Sequence, residues 1–421
     1  MKTLWILSGG IEAVPGIQRA REMGLFVVVS DGDPGAPGLQ LADHAVIAST
    51  YDVEANLAAA RQFQRCVRPI DGVMSVAADV PLTMAFLAAE FDLPGISIET
   101  ARLSADKLAM KERFARSGIP IPWFRAVESV QDVRRIVSER GYPLVIKPVD
   151  SRGARGVLRL TPEIDLNWAF AHSLSFSRTS RVMIEEYLPG PQVSTESVLL
   201  DGVGFTPGLS DRNYEYLERF APYMIENGGQ LPSELPRKDQ ETLASLAEKA
   251  ALAMGIRNGT AKGDLVLTAD GPKVIEMAAR LSGGWFSTVQ IPLATGVDLL
   301  GAAIRLALGE PVEAGDLRPE HQRGVAIRYF FPAPGRVTAI REVERFLQQP
   351  WVHRLQFFVG EGDFVEPTTN HTRRAGFVIT SGVDGQEALA RAELVVNKVA
   401  IDSQLFHSDE MKKCEYPKSL A

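Results

Sequence analysis

Residues 262–284, KGDLVLTADGPKVIEMAARLSGG, constrain the fold more strongly than any other stretch of the chain. Two short apolar runs predict two strands, and Asp270-Gly271 between them predicts a hairpin turn because both residues tolerate positive φ. Asp264 enters the first strand and Glu276 leaves the second, so a hairpin brings two carboxylates together. Carboxylates completed by substrate phosphates are usual Mg²⁺ ligands. The stretch is a candidate metal site, and the alternative is a solvated hairpin with surface charges.

The composition is that of an ordinary globular protein, and its 421 residues predict about two to four domains. A net charge of −7 without a long basic block gives no support for a nucleic-acid partner. Cys66 and Cys414 indicate neither a disulfide framework nor a thiolate metal site. The short apolar start predicts a first strand rather than a signal peptide, and no stretch approaches a membrane span. We therefore expect a cytoplasmic protein with no membrane partner.

The first hundred residues alternate between strand and helix patterns. Leu4–Leu7 predicts a strand ending in a glycine turn, a helix follows over about 15–23, and 25–30 predicts a second buried strand. The alternation continues to Gly95 and predicts a doubly wound parallel sheet. The glycines after the first strand lack the G-x-G-x-x-G spacing of a dinucleotide site, so a structural turn is the better interpretation.

Lysines and a glycine loop in the middle of the chain indicate an anion site. Lys147 lies inside the apolar strand predicted for 141–148, and a buried lysine must reach an anion or water. The loop Ser151–Gly156 follows and can present backbone amides and arginines to phosphates. Lys107 and Lys111 share one face of a helix predicted for 105–117, where an exposed basic face is the alternative. The P-loop pattern is absent.

Two further stretches predict parts of a small-molecule site. The strand predicted for Val182–Leu188 leads into a turn whose backbone can read an adenine, with a nearby carboxylate for ribose hydroxyls. The segment 210–236 mixes aromatic and charged side chains, which can line a pocket, and a surface loop is the alternative. Its candidate residues are Arg212, Tyr214, Tyr216, Arg219 and Tyr223.

Six segments in this order resemble the ATP-grasp superfamily, with a layout similar to biotin carboxylase-like and L-amino acid ligase-like members. They are DKLAMK (106–111), YPLVIKP (142–148), SRGARGV (151–157), VMIEEYLPG (182–190), GDLVL (263–267) and IEMAARLSGG (275–284). The resemblance covers about residues 1–310 well and the remainder loosely. It implies an α/β and α+β fold with a Rossmann-like pre-ATP-grasp domain over 1–103 and an ATP-grasp domain over 104–310, in lobes 104–185 and 186–310. A small α+β domain over 311–421 ends in a tail expected to be mobile from Ser403, with Lys412, Lys413 and Lys418.

The resemblance also implies roles for single residues. Lys147 and Arg280 are the implied catalytic residues, with Arg280 steadying an acyl phosphate or substrate carboxylate. Asp264 and Glu276 are the implied ligands of Mg²⁺ or Mn²⁺. The implied ATP contacts are Lys107, Lys147, Ser151, Arg152, Gly153, Ala154, Gly156, Glu185, Glu186, Tyr187, Leu188 and Gln192, with Glu186 and Leu188 acting mainly through the backbone. The implied substrate contacts are Arg212, Tyr214, Tyr223, Lys262, Ser282, Gly283 and Gly284. His353, His371, Arg373 and Arg374 can reach the site from the C-terminal domain or be surface residues.

Three positions depart from the family pattern. Asp264 stands where a longer glutamate is usual, and Ala278 stands where an asparagine is usual. These two changes imply one metal ion held less completely, or a ligand supplied from elsewhere. Gln192 replaces the usual ribose-binding acid, so the ribose contact shifts to Glu196 or rests on an amide.

The combined features predict an ATP-dependent carboxylate–amine ligase that works through an acyl phosphate and acts on small molecules. A homodimer is the family expectation. The alternatives are a bicarbonate-activating carboxylase or purine-pathway enzyme, and a nucleotide-binding protein with a weakened active site. A nicotinamide oxidoreductase is disfavoured by the missing fingerprint. The sequence identifies neither the carboxylate nor the amine.

Overall fold

The computed structural model describes residues 1–404, which form four β-sheets with helices packed against them. The predicted mobile tail lies outside the described residues except for its start, where Ser403 belongs to the last strand. In the described part of the chain no helix is long and apolar enough to cross a bilayer.

The N-terminal sheet is parallel, as predicted, with strand order β3-β2-β1-β4. Its elements are β1 (Thr3–Leu7), α1 (Val14–Glu22), β2 (Phe26–Asp31), β3 (His44–Ile47), α2 (Val53–Cys66), β4 (Gly72–Ser75), α3 (Pro81–Glu90) and α4 (Ile98–Ala105). Alternate side chains of β1 enter two cores, because Leu4 packs with Ile17 of α1 and Trp5 packs with Phe63 of α2. The loops after β1 and β4 leave the carboxyl edge of the sheet, where open α/β sheets bind ligands.

The next unit is a four-stranded antiparallel sheet of order β5-β8-β6-β7. It contains α5 (Lys107–Arg116), β5 (Phe124–Val127), α6 (Val130–Arg140), β6 (Leu144–Pro148), β7 (Leu158–Leu160), α7 (Leu166–Ser175) and β8 (Val182–Glu186). The single helix predicted for 105–117 is wrong at its start, because Asp106 separates α4 from α5. Its side chain accepts hydrogen bonds from the amides of Leu108 and Ala109 and so caps α5.

An eight-stranded antiparallel sheet of order β13-β12-β9-β10-β11-β14-β18-β16 dominates the rest of the chain. The elements up to residue 310 are β9 (Gln192–Leu200), β10 (Val203–Asn213), β11 (Gly228–Leu231), α8 (Arg237–Ala253), β12 (Gly259–Thr268), β13 (Gly271–Ala278), α9 (Ile291–Thr295) and α10 (Leu299–Ala307). The later elements are β14 (Gly324–Phe330), β15 (Gly335–Arg341), α11 (Glu344–Leu347), β16 (Val352–Phe357), β17 (Phe364–Val365), β18 (Gly376–Gly382), α12 (Gly385–Lys398) and β19 (Ala400–Gln404).

This sheet continues across residue 310 into the C-terminal part of the chain. Strand β11 pairs with β14 along its whole length, from Gly228 opposite Arg328 to Leu231 opposite Val325. The strands on either side of residue 310 therefore belong to one hydrogen-bonded sheet. Only β17, β15 and β19 form a small sheet of their own.

The predicted hairpin is present as β12 and β13, with two local corrections. Thr268 pairs with Gly271, so the turn is Ala269-Asp270, one residue earlier than predicted. A bulge lies between Asp264 and Leu265, next to the carboxylate pair; bulges often re-aim side chains beside active sites. After the hairpin, Trp285 has a left-handed backbone with φ of 53°, and a π-helical turn over Phe286–Gln290 precedes α9.

Candidate active site

A cavity of about 700 Å³ lies where the N-terminal sheet, the four-stranded sheet and the eight-stranded sheet meet. It brings together residues predicted from widely separated segments. The predicted residues that line it are Lys107, Lys147, Ser151, Arg152, Gly153, Ala154, Glu185, Glu186, Tyr187, Leu188, Gln192, Arg212, Tyr214, Lys262, Asp264, Glu276, Arg280, Ser282, Gly283 and Gly284. His371 and Arg374 reach the cavity from the C-terminal part.

Asp264 and Glu276 stand directly opposite each other across the hairpin and face the cavity. Asp264 pairs with Lys262 and lies 3.1 Å from Nη1 of Arg212, and Glu276 lies 3.4 Å from Nζ of Lys107. Burial raises the pKa of Glu276, but Lys107 and Lys262 outweigh burial and hold it far below its usual range. Both side chains fit as ligands of a divalent cation.

The metal-ligand set supplied by the protein is small. No group of three His, Cys, Asp or Glu side chains converges anywhere in residues 1–404. Two carboxylates suit an ion that completes its shell with phosphate oxygens and water, which is the usual arrangement for Mg²⁺ in nucleotide sites. The methyl group of Ala278, also on the cavity wall, adds no ligand.

Lys147 is buried in β6, as the apolar strand pattern predicted, and it pairs with Glu185 at 2.5 Å. The other oxygen of Glu185 lies 2.9 Å from Lys111, which is fully buried and also donates to the carbonyl of Ile275. Burial lowers the pKa of Lys111 to about 8, partly offset by Glu185. Glu185 is thus bracketed by two lysines, of which only Lys147 lines the cavity. This arrangement holds Lys147 in place at the cavity wall.

The glycine loop 151–156 covers one side of the cavity. Lys107 donates to the carbonyl of Ser151 at 2.6 Å, and Gly153 and Ala154 have left-handed backbones, with φ of 61° and 59°. The amide of His371 donates to the carbonyl of Gly153 at 2.9 Å, so the C-terminal part holds the loop in place. Gly156 was predicted to contact ATP, but it does not line the cavity. A Cβ there would lie 2.9 Å from Pro148 and 3.0 Å from Phe176, so packing explains this glycine.

The predicted adenine segment also lines the cavity. The amide of Glu186 donates to the carbonyl of Trp123 at 2.9 Å, so it is not free to read a base. Its side chain lies 3.4 Å from Lys273. Leu188 follows the end of β8, which leaves its backbone outside the sheet ladder. The Glu186 amide is therefore not available for the predicted base contact, which stays a prediction for the Glu186 carbonyl and for Tyr187 and Leu188.

Arg280 is held by a carboxylate from the N-terminal sheet. Its guanidinium donates to both oxygens of Asp79 at 2.7 and 2.9 Å, a bidentate geometry that fixes its plane. Burial lowers the pKa of Arg280, but Asp79 outweighs burial and raises it above its usual value. Nε of Arg152 lies 3.6 Å from the same carboxylate. Asp79 was not predicted, although it follows β4 at the carboxyl edge of the sheet.

Glu12 is a second acid that sequence reasoning missed. It follows β1, and its Oε1 accepts a hydrogen bond from the amide of Gly284 at 3.1 Å. A Cβ on Gly283 would lie 2.6 Å from its Oε2, which explains the glycine pair. Within residues 1–404 Glu12 makes no ion pair, and burial raises its pKa. The available signal was its place after the first strand of a parallel sheet.

Arginines and aromatic rings line the same cavity as Glu12, and the charges of Arg280, Arg374 and Arg354 act on its carboxyl group. Arg374 lies 3.7 Å over the ring of Tyr329 and donates to the carbonyl of Glu226 at 2.7 Å. Arg212 donates to the side chain of Glu226 at 2.8 and 2.5 Å. Trp285 stacks on Phe377, with ring centroids 4.1 Å apart. Its Nε1 has no hydrogen-bond partner in the described chain, although Trp285 borders the cavity. This end of the cavity offers both charge and a flat apolar wall.

Several predicted residues lie elsewhere. Tyr223 packs against His172, with ring centroids 5.8 Å apart, and does not line the cavity. Tyr216 and Arg219 border a separate cavity of about 180 Å³. His353 contacts Ser381, and Arg373 pairs with Glu366 at 2.7 Å, both away from the site.

Glu196 was an alternative ribose contact, and this prediction is wrong. Its side chain is fully buried beneath the loop that follows Arg280, where Oε2 accepts from the amide of Ser282 at 3.0 Å and from the Ser282 hydroxyl. Gln192 does border the cavity, so an amide remains available there. Burial raises the pKa of Glu196 to about 7, against the effect of the Ser282 donors.

We expect Glu196→Gln to change how stability depends on pH. In the wild type, the raised pKa of Glu196 stabilises the fold fully below about pH 4.5, and this contribution is lost as the pH rises to about 7. The loss amounts to roughly 3 kcal/mol. The glutamine variant lacks this titration, so it should gain stability over the wild type as the pH rises. The unfolding midpoints of wild type and Glu196→Gln, measured at pH 5 and at pH 8, test this expectation. If the midpoints of the two proteins differ by the same amount at both pH values, the expectation is contradicted.

Two families match the chain. Residues 106–314 match the family "Carbamoyl-phosphate synthase L chain, ATP binding domain", and residues 328–403 match "L-amino acid ligase C-terminal domain 2". Protein y4rH of Sinorhizobium fredii, described as uncharacterized, is 24% identical over 371 residues, covering 86% of this chain and 75% of that protein. Biotin carboxylase of Pseudomonas aeruginosa is 28% identical over 360 residues, covering 78% of this chain and 74% of that enzyme.

A solved structure shares the fold along almost the whole chain. The L-amino acid ligase from Bacillus licheniformis superposes with a TM-score of 0.81 at 23% identity, covering 96% of this chain and 99% of that one. At this identity the superposition shows the fold, and the family matches add the ATP-binding domain. The chain belongs to the ATP-grasp superfamily as a member of its ligases, with a C-terminal domain of the L-amino acid ligase type.

Proposed function

We propose that this enzyme joins a small-molecule carboxylate to the amine of an amino acid or a similar small molecule. A carboxylate oxygen attacks the γ-phosphorus of ATP, which releases ADP and forms an acyl phosphate. The amine nitrogen then attacks the acyl carbon, phosphate leaves, and an amide is formed with loss of the nitrogen's proton. The C-terminal match to L-amino acid ligases supports this reaction.

The residues of the chain divide the work between charge neutralisation and positioning. Lys107, Lys147 and the glycine loop bind the phosphates of ATP, and Arg280 faces the transferred phosphoryl group. Asp264 and Glu276 would hold Mg²⁺, which supplies positive charge to phosphate oxygens when bound. Such preorganised charge stabilises the transition state more than the ground state, because the negative charge moves during the transfer.

The observation that carries the proposal is the unpaired carboxylate of Glu12 beside the phosphoryl site. It lies on the Gly283-Gly284 backbone, four residues beyond Arg280, and no lysine, arginine or histidine in residues 1–404 forms an ion pair with it. A desolvated carboxylate that forms no ion pair is unfavourable even with the charges of three arginines acting on it, and a substrate ammonium group relieves that cost. Bicarbonate, the substrate of the alternative chemistry, has no such group.

The reaction can be tested directly with the purified protein. Incubation with ATP, Mg²⁺ and pairs of amino acids should release phosphate only when both substrates are present, with an amide product seen by mass spectrometry. Phosphate release with bicarbonate alone would support the carboxylase chemistry instead. ATP binding without turnover across a broad panel would support a nucleotide-binding protein with a weakened site.

We expect Glu12→Gln to raise the KM of the amine-bearing substrate by about tenfold to a hundredfold, since a charged hydrogen bond contributes about 1.5–3 kcal/mol. The KM of ATP should change little, because we assign Glu12 to the substrate ammonium group and not to the nucleotide. Asp150→Asn is a matched control, since Asp150 also borders the cavity but bonds to Thr179. Equal effects on the KM of ATP and of the amine would contradict the assignment.

A further inference from the structure

The strand register places Lys262 between two carboxylates. Lys262 stands opposite Glu196 on β9, and Asp264 stands opposite Ser194 on β9 and Glu276 on β13. Side chains two residues apart on a strand point to the same face, and directly opposed residues have Cβ atoms about 4.5–5.5 Å apart. Lys262 therefore has Asp264 beside it on its own strand and Glu196 across from it.

Lys262 pairs with Asp264. Asp264 also accepts a hydrogen bond from Ser194 at 2.9 Å and lies 3.1 Å from Arg212, so donors already surround its oxygens. A divalent cation that binds Asp264 must compete with Lys262 for the same lone pairs. Two cations at one carboxylate also repel each other strongly when they are buried.

One carboxylate oxygen of Glu196 has no hydrogen-bond donor within residues 1–404 and can accept the ammonium group of Lys262. Its Oε2 accepts both donors of Ser282, but its Oε1 is buried and has no hydrogen-bond partner among the described residues. Arg280 and Lys262 are the cations whose charge acts on it. A buried carboxylate oxygen without a donor is unfavourable, and an incoming ammonium group satisfies it.

We propose that Lys262 exchanges partners when magnesium nucleotide binds, leaving Asp264 for the free oxygen of Glu196. This exchange rests on the proposed function, because it uses the metal role of Asp264. Glu196 is then a positioning residue: it receives the lysine that the metal displaces. Because Glu196 also holds Ser282, the exchange connects the metal-binding hairpin to the loop that carries Arg280 and lines the substrate cavity.

A double-mutant cycle tests the exchange. Wild type, Glu196→Gln, Lys262→Met and the double variant are titrated with Mg²⁺ and a non-hydrolysable ATP analogue, and binding is followed by calorimetry. Glu196→Gln should weaken magnesium-dependent binding about tenfold or more, because Lys262 then has no charged alternative to Asp264. In the Lys262→Met background the same change should have an effect of less than about twofold. An equal effect in both backgrounds, or no effect in either, would overturn the proposal.

Two controls separate the possible failures. Asp150→Asn removes another cavity carboxylate, one that bonds to Thr179 and not to Lys262 or Ser282, and its magnesium dependence should match the wild type. Glu276→Gln should strongly weaken magnesium-dependent binding. If magnesium-dependent binding is unchanged in Glu276→Gln, the proposed metal site is refuted. If Glu276→Gln weakens that binding but the effects of Glu196→Gln and Lys262→Met are additive, only the partner exchange is refuted. If Glu196→Gln does not fold, Glu196→Asp replaces it in the cycle, because aspartate moves the negative charge back by one methylene. Glu196→Asp should then weaken magnesium-dependent binding in the wild-type background and have no effect in the Lys262→Met background.

Discussion

Replacing Lys147 by alanine is expected to slow ATP-dependent product formation by at least about two orders of magnitude. The reason is that Lys147 is the fixed cation of β6 that faces the cavity, and it offsets negative charge that develops as the phosphoryl group is transferred. Glu185 keeps its second partner, Lys111, at 2.9 Å, so the variant should still fold. Steady-state kinetics and a thermal melt measure both effects.

Lys111→Met is the matched control for Lys147→Ala. Both lysines pair with Glu185, but Lys111 does not border the cavity. Its loss should reduce stability, since breaking a buried ion pair costs about 3–5 kcal/mol when no partner remains and less when one does. Its effect on kcat should be much smaller than that of Lys147→Ala. If the two variants lost activity equally, the phosphate role of Lys147 would be in doubt.

Arg280→Met is expected to lower kcat by about three orders of magnitude, within the range seen when a positive charge is removed from a phosphoryl-transfer site. The KM of ATP should change far less, because we assign Arg280 to the transferred group rather than to the bound nucleotide. Rapid-quench measurement of acyl phosphate formation would place the defect in the first chemical step.

The Asp79→Asn variant separates the charge of Arg280 from its placement. Asparagine cannot accept both guanidinium hydrogen bonds that Asp79 accepts at 2.7 and 2.9 Å, but the positive charge remains. We expect a loss intermediate between wild type and Arg280→Met. Full activity in Asp79→Asn would show that the bidentate contact is dispensable, and near-full activity in Arg280→Met would refute the catalytic role.

The parts of the site that could be predicted from the sequence are those fixed by local pattern. Lys147 is a charged residue inside an apolar strand, so its burial followed from the strand itself. Asp264 and Glu276 flank a short hairpin, and hairpin pairing alone brings them together. The parallel N-terminal sheet followed in the same way from alternating strand and helix patterns.

The missed residues depend on contacts between distant segments. Glu12 and Gly284 are 272 residues apart in the chain, and Arg280 and Asp79 are 201 apart. No local pattern encodes such a contact. Lys111 illustrates the same limit, because helix periodicity placed it on one face with Lys107 but could not show that this face is buried.

The continuous eight-stranded sheet has a consequence for engineering. A boundary near residue 310 looks like a place to exchange C-terminal segments between related ligases, because the chain there lies outside the strands. A cut there would remove β14 and leave the backbone of β11 unpaired as an exposed edge, which favours aggregation. A functional chimera would therefore have to keep β11 and β14 from the same parent. Strand β14 therefore belongs to the same hydrogen-bonded sheet as the hairpin of β12 and β13.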